Sequence, residues 1–136
     1  MVERSTSTAE AQVRERLESW TRAVRARDLE GVLAHHAADI VMFDVPPPEQ
    51  WSGLARYRES WELFFRHFPS SGGSFDIEQM QIVADGDLAC AFGLLRCGPS
   101  HDTFPVRLTV ILRRQEGGWT FVHEHHSVPA PDVDTQ

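Results

Sequence analysis

The sequence predicts a single α+β domain on three observations. Apolar residues recur at helical spacing as far as Phe68, the period falls to two after residue 73, and glycine-containing turns divide the remainder into a meander. Helices first and a long antiparallel sheet second is the layer pattern of α+β, not of alternating βαβ units. The predicted order is α-α-β-α-β-β-β-β over residues 1–136, with residues 1–6 and 130–136 read as loose tails.

Ser7 with Glu10 has capping-box spacing and opens the first helix, whose apolar face is Val13, Leu17, Trp20 and Val24. Asp28 caps a second, shorter helix with Leu29, Val32 and Leu33 inward, a face that can extend to His36, and Ala37 to Asp39 end it. A strand over Ile40 to Val45 stops at Pro46, Pro47 and Pro48, because proline cannot donate to a ladder. The loop that follows carries Trp51. Ser52 caps a third helix with Leu54, Tyr57, Trp61, Phe64, Phe65 and Phe68 on one side, ended by Pro69 and the Ser-Ser-Gly-Gly run. So aromatic a stripe requires a sheet to cover it.

Strands are predicted over 74–84, 87–97, 104–115 and 119–128. Asp85-Gly86 supplies a turn of type I′ character and Glu116-Gly117-Gly118 supplies the last turn, so these strands pair antiparallel in chain order. Phe75 and Ile77 lie on one parity but Met80 and Ile82 on the other, which predicts a β-bulge that bends the first long strand around a helix.

At 136 residues, 41% of them hydrophobic, the chain can bury roughly two thirds of its unfolded surface in one core. Twenty acidic against 13 basic residues give a net charge of −7, which argues against nucleic acid or an anionic membrane as partner. No apolar run reaches the roughly 18 residues that span a bilayer, and the opening MVERSTSTAE lacks a signal-peptide pattern, so a cytoplasmic location is expected. Cys90 and Cys97, at odd spacing on one strand, would face opposite ways and are expected to be reduced core thiols rather than a bridge or metal clip.

The element order, AADIVMFDVPPP before the third helix and WTFVHEHHSVP at the end, resembles the SnoaL-like branch of the NTF2-like superfamily over nearly the whole chain. That resemblance implies a cone, a curved antiparallel sheet wrapped around helices with one pocket inside. The superfamily holds ketosteroid isomerase, polyketide cyclases, an epoxide hydrolase, scytalone dehydratase and non-catalytic association and transport domains, so fold alone does not select an activity.

Asp44, in the FDVP run, stands where the resemblance places the general-base aspartate of ketosteroid isomerase. A carboxylate on the inward parity of a strand facing an aromatic helix would be partly desolvated and so better suited to proton transfer. Its alternative role is a strand-end aspartate that accepts backbone N–H groups. On the same alignment the position of the isomerase's oxyanion tyrosine holds Trp20, and no acid occurs between Phe104 and Leu112 to act as second donor, so steroid isomerisation is not expected.

Alternation puts His123, His125 and Ser127 on one face of the last strand, with Glu124 and His126 on the other. His123 and His125 could form an acid/base pair with Asp44, hold a metal with it, or only satisfy polar groups in an interface or pocket wall. The preferred reading assigns Asp44, His125 and His123 to catalysis and Trp20, Trp61, Phe65 and Arg107 to ligand binding, with no metal and no cofactor. His35 and His36 are read as surface or capping residues at a helix end. The expected function is thus a homodimeric pocket protein for a small apolar carbonyl or aromatic compound, as isomerase, cyclase or hydrolase. The alternative is a non-catalytic ligand-binding or dimerisation domain.

Overall fold

A computed structural model describes residues 2–130, with side chains from Thr8 onward. Three helices, α1 (Val2–Arg25), α2 (Leu29–Leu33) and α3 (Leu54–Phe65), lie against a curved, unclosed sheet of six strands. The strands are β1 (His36–Phe43), β2 (Trp51–Ser52), β3 (Gly73–Asp85), β4 (Leu88–Pro99), β5 (Phe104–Gln115) and β6 (Gly118–Ser127), in spatial order β2-β1-β6-β5-β4-β3. All neighbours are antiparallel except β1 and β6, which run parallel.

The helical faces read from periodicity are the buried ones: Val13, Leu17, Trp20 and Val24 are at most 2% exposed. Arg16 Nε donates to the Trp119 carbonyl and Trp119 Nε1 to Gln12 Oε1, which pins α1 to β6. Asp28 caps α2 as expected, its carboxylate accepting from the Gly31 N–H at 3.1 Å. Tyr57, Trp61, Phe65 and, beyond the helix, Phe68 form the buried aromatic stripe of α3.

Helix α1 runs through Ser7 instead of starting on it. The second helix ends at Leu33, and β1 begins at His36, four residues before the expected start, because pairing with β6 extends it. Ser52 does not cap α3. It pairs with Val41 in the unforeseen β2, and Gly53 takes the cap position at φ +90°, a conformation that costs glycine little. The first hairpin loop is Gly86-Asp87, one residue later than expected, with Gly86 at φ +62°. The expected loose C-terminal tail lies largely outside the described residues.

The bulge in β3 is where the parity switch puts it. Gln79 and Met80 oppose the single residue Gly93, and Gln79 takes φ +57°. Ile77, Met80 and Ile82 thereby all pack against the core. A second bulge, not expected, lies in β6: Leu112 pairs with Phe121 but its neighbour Ile111 pairs with His123, leaving Val122 as the extra residue. Trp119 and Phe121 point inward before it, Glu124 and His126 after it.

Candidate functional site

The mouth of the cone lies among the chain after β1, helix α3 and the adjoining ends of β4, β5 and β6. It opens into a pocket of about 410 Å³. Its walls are mainly Trp51, Trp61, Phe64, Phe75, Leu95 and Val106, and its polar groups are Asp44, Ser60, His67, Cys97 and His126. Half-exposed Val45, Leu63, Phe104 and Val128 make an apolar rim. The volume and the apolar lining with a few polar groups are those of a small-molecule site.

Asp44 continues the inward parity of Ile40 and Met42 one residue past the end of β1, its side chain 22% exposed. Its Oδ1 accepts from the Val45 N–H at 2.8 Å, so it does act as a strand-end acceptor. The same oxygen lies 3.9 Å from His126 Nδ1, too long for a direct hydrogen bond.

Behind His126 sits a buried polar cluster. Glu124, 0% exposed, receives three contacts: His126 Nε2 at 3.1 Å on Oε1, with His36 Nε2 at 2.6 Å and the Tyr57 hydroxyl at 2.7 Å on Oε2. Proton placement follows from the partners. His36 Nδ1 donates to the Ala34 carbonyl at 3.0 Å, and its Nε2 lies 2.6 Å from Glu124 Oε2 and 2.8 Å from the Tyr57 hydroxyl, so His36, Tyr57 and Glu124 form one closed hydrogen-bonded triad. His36 is further clamped between the rings of Phe121, stacked at 4.3 Å, and Tyr57 at 4.6 Å.

Burial pushes the Glu124 carboxyl up, but the hydrogen bonds and charges of His126 and His36 outweigh it and hold the group well below the usual carboxylate range. For His126 burial favours the neutral ring. The hydrogen bond and charge of Glu124, with Asp44 adding, reverse that and raise its pKa. Burial first and then the Glu124 charge keep the Tyr57 hydroxyl well above its ordinary value. Cys97 is pushed up to about 11 by burial and by the Asp44 charge, which keeps it a neutral thiol instead of a nucleophile.

The expected partners of Asp44 are therefore corrected. The β6 bulge turns His123 and His125 to the outer side of the strand: His123 Nδ1 binds the Val41 carbonyl at 2.6 Å, and His125 is exposed with its ring edge-on to Phe43. His126 and Glu124, on the face not chosen, take the inner positions. Arg107 is exposed on the outer face, since Val106 and Leu108 of β5 point inward. Of the aromatic candidates Trp61 lines the pocket. Trp20 lies behind it at 5.9 Å in edge contact and also meets the His126 ring at 6.2 Å, and Phe65 packs beneath the Arg27 guanidinium, away from the pocket. His36, read as a surface or capping residue, is buried in the polar cluster. Among the described residues no three His, Cys, Asp or Glu side chains come together as a metal site, and none of the helices is long and apolar enough to cross a membrane.

Residues 13–131 match the family of SnoaL-like domains. An NTF2-like protein of unknown function from Pseudomonas putida KT2440 is 40% identical, with a TM-score of 0.87 over 96% of this chain and 93% of that one. At 15% identity, an NTF2-like protein with a cystatin-like fold from Novosphingobium aromaticivorans superposes with a TM-score of 0.75, covering 93% of this chain and 85% of its own. A Streptomyces avermitilis member of the NTF2-like family that carries a provisional dehydratase name gives 0.75 at 18% identity, over 93% and 99%. No curated protein matches the sequence. With the matched segment covering most of the chain and the helix-filled curved sheet described above, the protein belongs to the SnoaL-like branch of the NTF2-like superfamily.

Proposed function

We propose that the protein binds a small, largely apolar carbonyl or aromatic compound in this pocket and acts on it by proton transfer, with Asp44 as acceptor. His126 takes the place first assigned to His125 or His123. The reading is carried by one observation: at the polar end of an otherwise apolar pocket, Asp44 Oδ1 and His126 Nδ1 stand 3.9 Å apart, one intervening oxygen's distance. Trp51, which lines the same pocket, has its indole N–H buried, so it adds to the apolar wall and not to the polar end. Reactions that fit are isomerisation, cyclisation or hydrolysis beginning with loss of an acidic C–H or O–H proton.

A general test needs no knowledge of the product. Bicyclic aromatic ketones are incubated with the protein in D2O, and exchange of the proton next to the carbonyl is followed by NMR. Asp44→Asn should abolish exchange while leaving binding, seen as tryptophan quenching, within a fewfold. Equal exchange by the variant sinks the catalytic role of Asp44.

In the rival reading, a non-catalytic binding or dimerisation domain, the outer face of the sheet carries the function. Its support is the exposed Val83, Leu88 and Phe92 on β3 and β4. We take this face to pair two copies, so that the protein works as a cytoplasmic homodimer whichever reading of the pocket holds.

A further inference from the structure

We infer that Glu124 is the positioning carboxylate of this site: backed by His36 and Tyr57, it keeps a proton on His126 Nδ1 facing Asp44, so that the pocket head takes one neutral hydroxyl oxygen and rejects a carboxylate. The inference rests on the pocket being a ligand site and says what it selects.

Three observations carry it. First, Glu124 Oε1 accepts the hydrogen bond of His126 Nε2–H at 3.1 Å, which leaves Nδ1 as the ring nitrogen turned to Asp44. An unprotonated Nδ1 there would set a lone pair against a carboxylate, whereas N–H is attracted. Secondly, a buried glutamate would be costly to keep charged beside His126 without further donors, and His36 Nε2 and the Tyr57 hydroxyl supply them at 2.6 and 2.7 Å. Thirdly, the 3.9 Å gap has the width of one atom. An oxygen about 2.8 Å from each side makes an angle of roughly 90° between its two partners, close to what a hydroxyl needs to accept from N–H and donate to a carboxylate.

The groups facing His126 reinforce this selection. They are Glu124 beside it on β6, Asp44 after β1, Cys97 from β4 as a neutral thiol, His67 at the mouth after α3 and the Trp20 ring from α1, with His36 and Tyr57 behind Glu124. Asp44 already places one carboxylate at the pocket head. A neutral ligand therefore adds no charge there, and a carboxylate would bring a second anion against Asp44.

Two arms test this. In the first, ¹⁵N-labelled protein is titrated between about pH 5 and about pH 9, with His126 assigned by loss of its signals in His126→Gln. Wild type should show both ring nitrogens protonated at neutral pH, and Glu124→Gln should lower the midpoint and empty Nδ1. A bare Nδ1 in the wild type at neutral pH overturns the inference, and this holds even if Glu124→Gln does not fold. In the second arm, naphthalene, 2-naphthol and 2-naphthoate are titrated against tryptophan fluorescence. The naphthol should bind about tenfold more tightly than naphthalene, the strength of a hydrogen bond to a charged group, and the naphthoate most weakly. The preference should collapse in Glu124→Gln. Equal binding of naphthol and naphthalene overturns the selectivity while leaving the pocket reading intact. If none of the three binds, the pocket reading falls and the ligand class with it, and the first arm still decides the role of Glu124.

Discussion

Tyr57→Phe removes one hydroxyl from the buried cluster. The phenyl ring keeps its place between His36 at 4.6 Å and Trp61 at 6.2 Å, and the hydroxyl that disappears donates to Glu124 at 2.7 Å and lies 2.8 Å from His36 Nε2. Tyr57 and Glu124 are both fully buried, so no water replaces the lost donor and the carboxylate loses one of three. A hydrogen bond to a charged group contributes about 1.5–3 kcal/mol, from which the smaller desolvation of a phenol is recovered on mutation, giving a net loss of about 2 kcal/mol. With an unfolding entropy of roughly 2.1 cal/mol/K per residue, that lowers the melting temperature of this chain by about 7 °C. Urea unfolding followed by circular dichroism and by tryptophan fluorescence measures it, and the slope should be unchanged. A variant as stable as wild type, or more stable, would show that Glu124 does not depend on Tyr57 and that the proton placement described here is mistaken.

Gly93→Ala should cost about 1–3 kcal/mol in the same assay, because its Cβ would sit 2.8 Å from the Glu78 carbonyl oxygen and 3.2 Å from Met80 Cα, inside the β3 bulge; a neutral effect would mean that the bulge yields freely. Stability should also depend on pH in two directions. Glu124 has a depressed folded pKa, so its contribution is whole above the unfolded value of 4.5 and is lost as pH falls to about 2. His126 has a raised one, so its contribution is whole below the unfolded value of 6.5 and is lost as pH rises through the folded value. Chemical denaturation across pH should thus show a plateau between about 4.5 and about 6.5, and His126→Gln should flatten the decline on its alkaline side; an unaltered decline in that variant removes His126 as its source. Phe92→Glu, on the outer sheet face, should convert a dimer into a monomer by light scattering at micromolar concentration, whereas a monomeric wild type ends the dimer proposal.

Most of the architecture was legible in the residues because apolar side chains record which way the backbone faces. Val13, Leu17, Trp20 and Val24 mark a helix face. In β3 the shift from Phe75 and Ile77 to Met80 and Ile82 marks a bulge, since every one of them must reach the same core. The bulge in β6 carries no such mark. After Phe121 and Val122 come His123, Glu124, His125 and His126, all polar, and nothing in their chemistry says which parity is buried. Simple alternation from Trp119 and Phe121 would turn His123 and His125 inward, and one extra residue reverses the choice.

The sequence by itself thus determined the fold class, the helix faces, the β-meander and the place of Asp44 on an inward parity, because local periodicity and turn chemistry act over a few residues. Only the tertiary structure decided the company Asp44 keeps. His36 meets Glu124 across 88 positions of chain and Tyr57 meets it across 67. They meet because β1 lies parallel beside β6 and α3 crosses the same cone. Such proximity is a property of strand order and register, and no local pattern of residues encodes it.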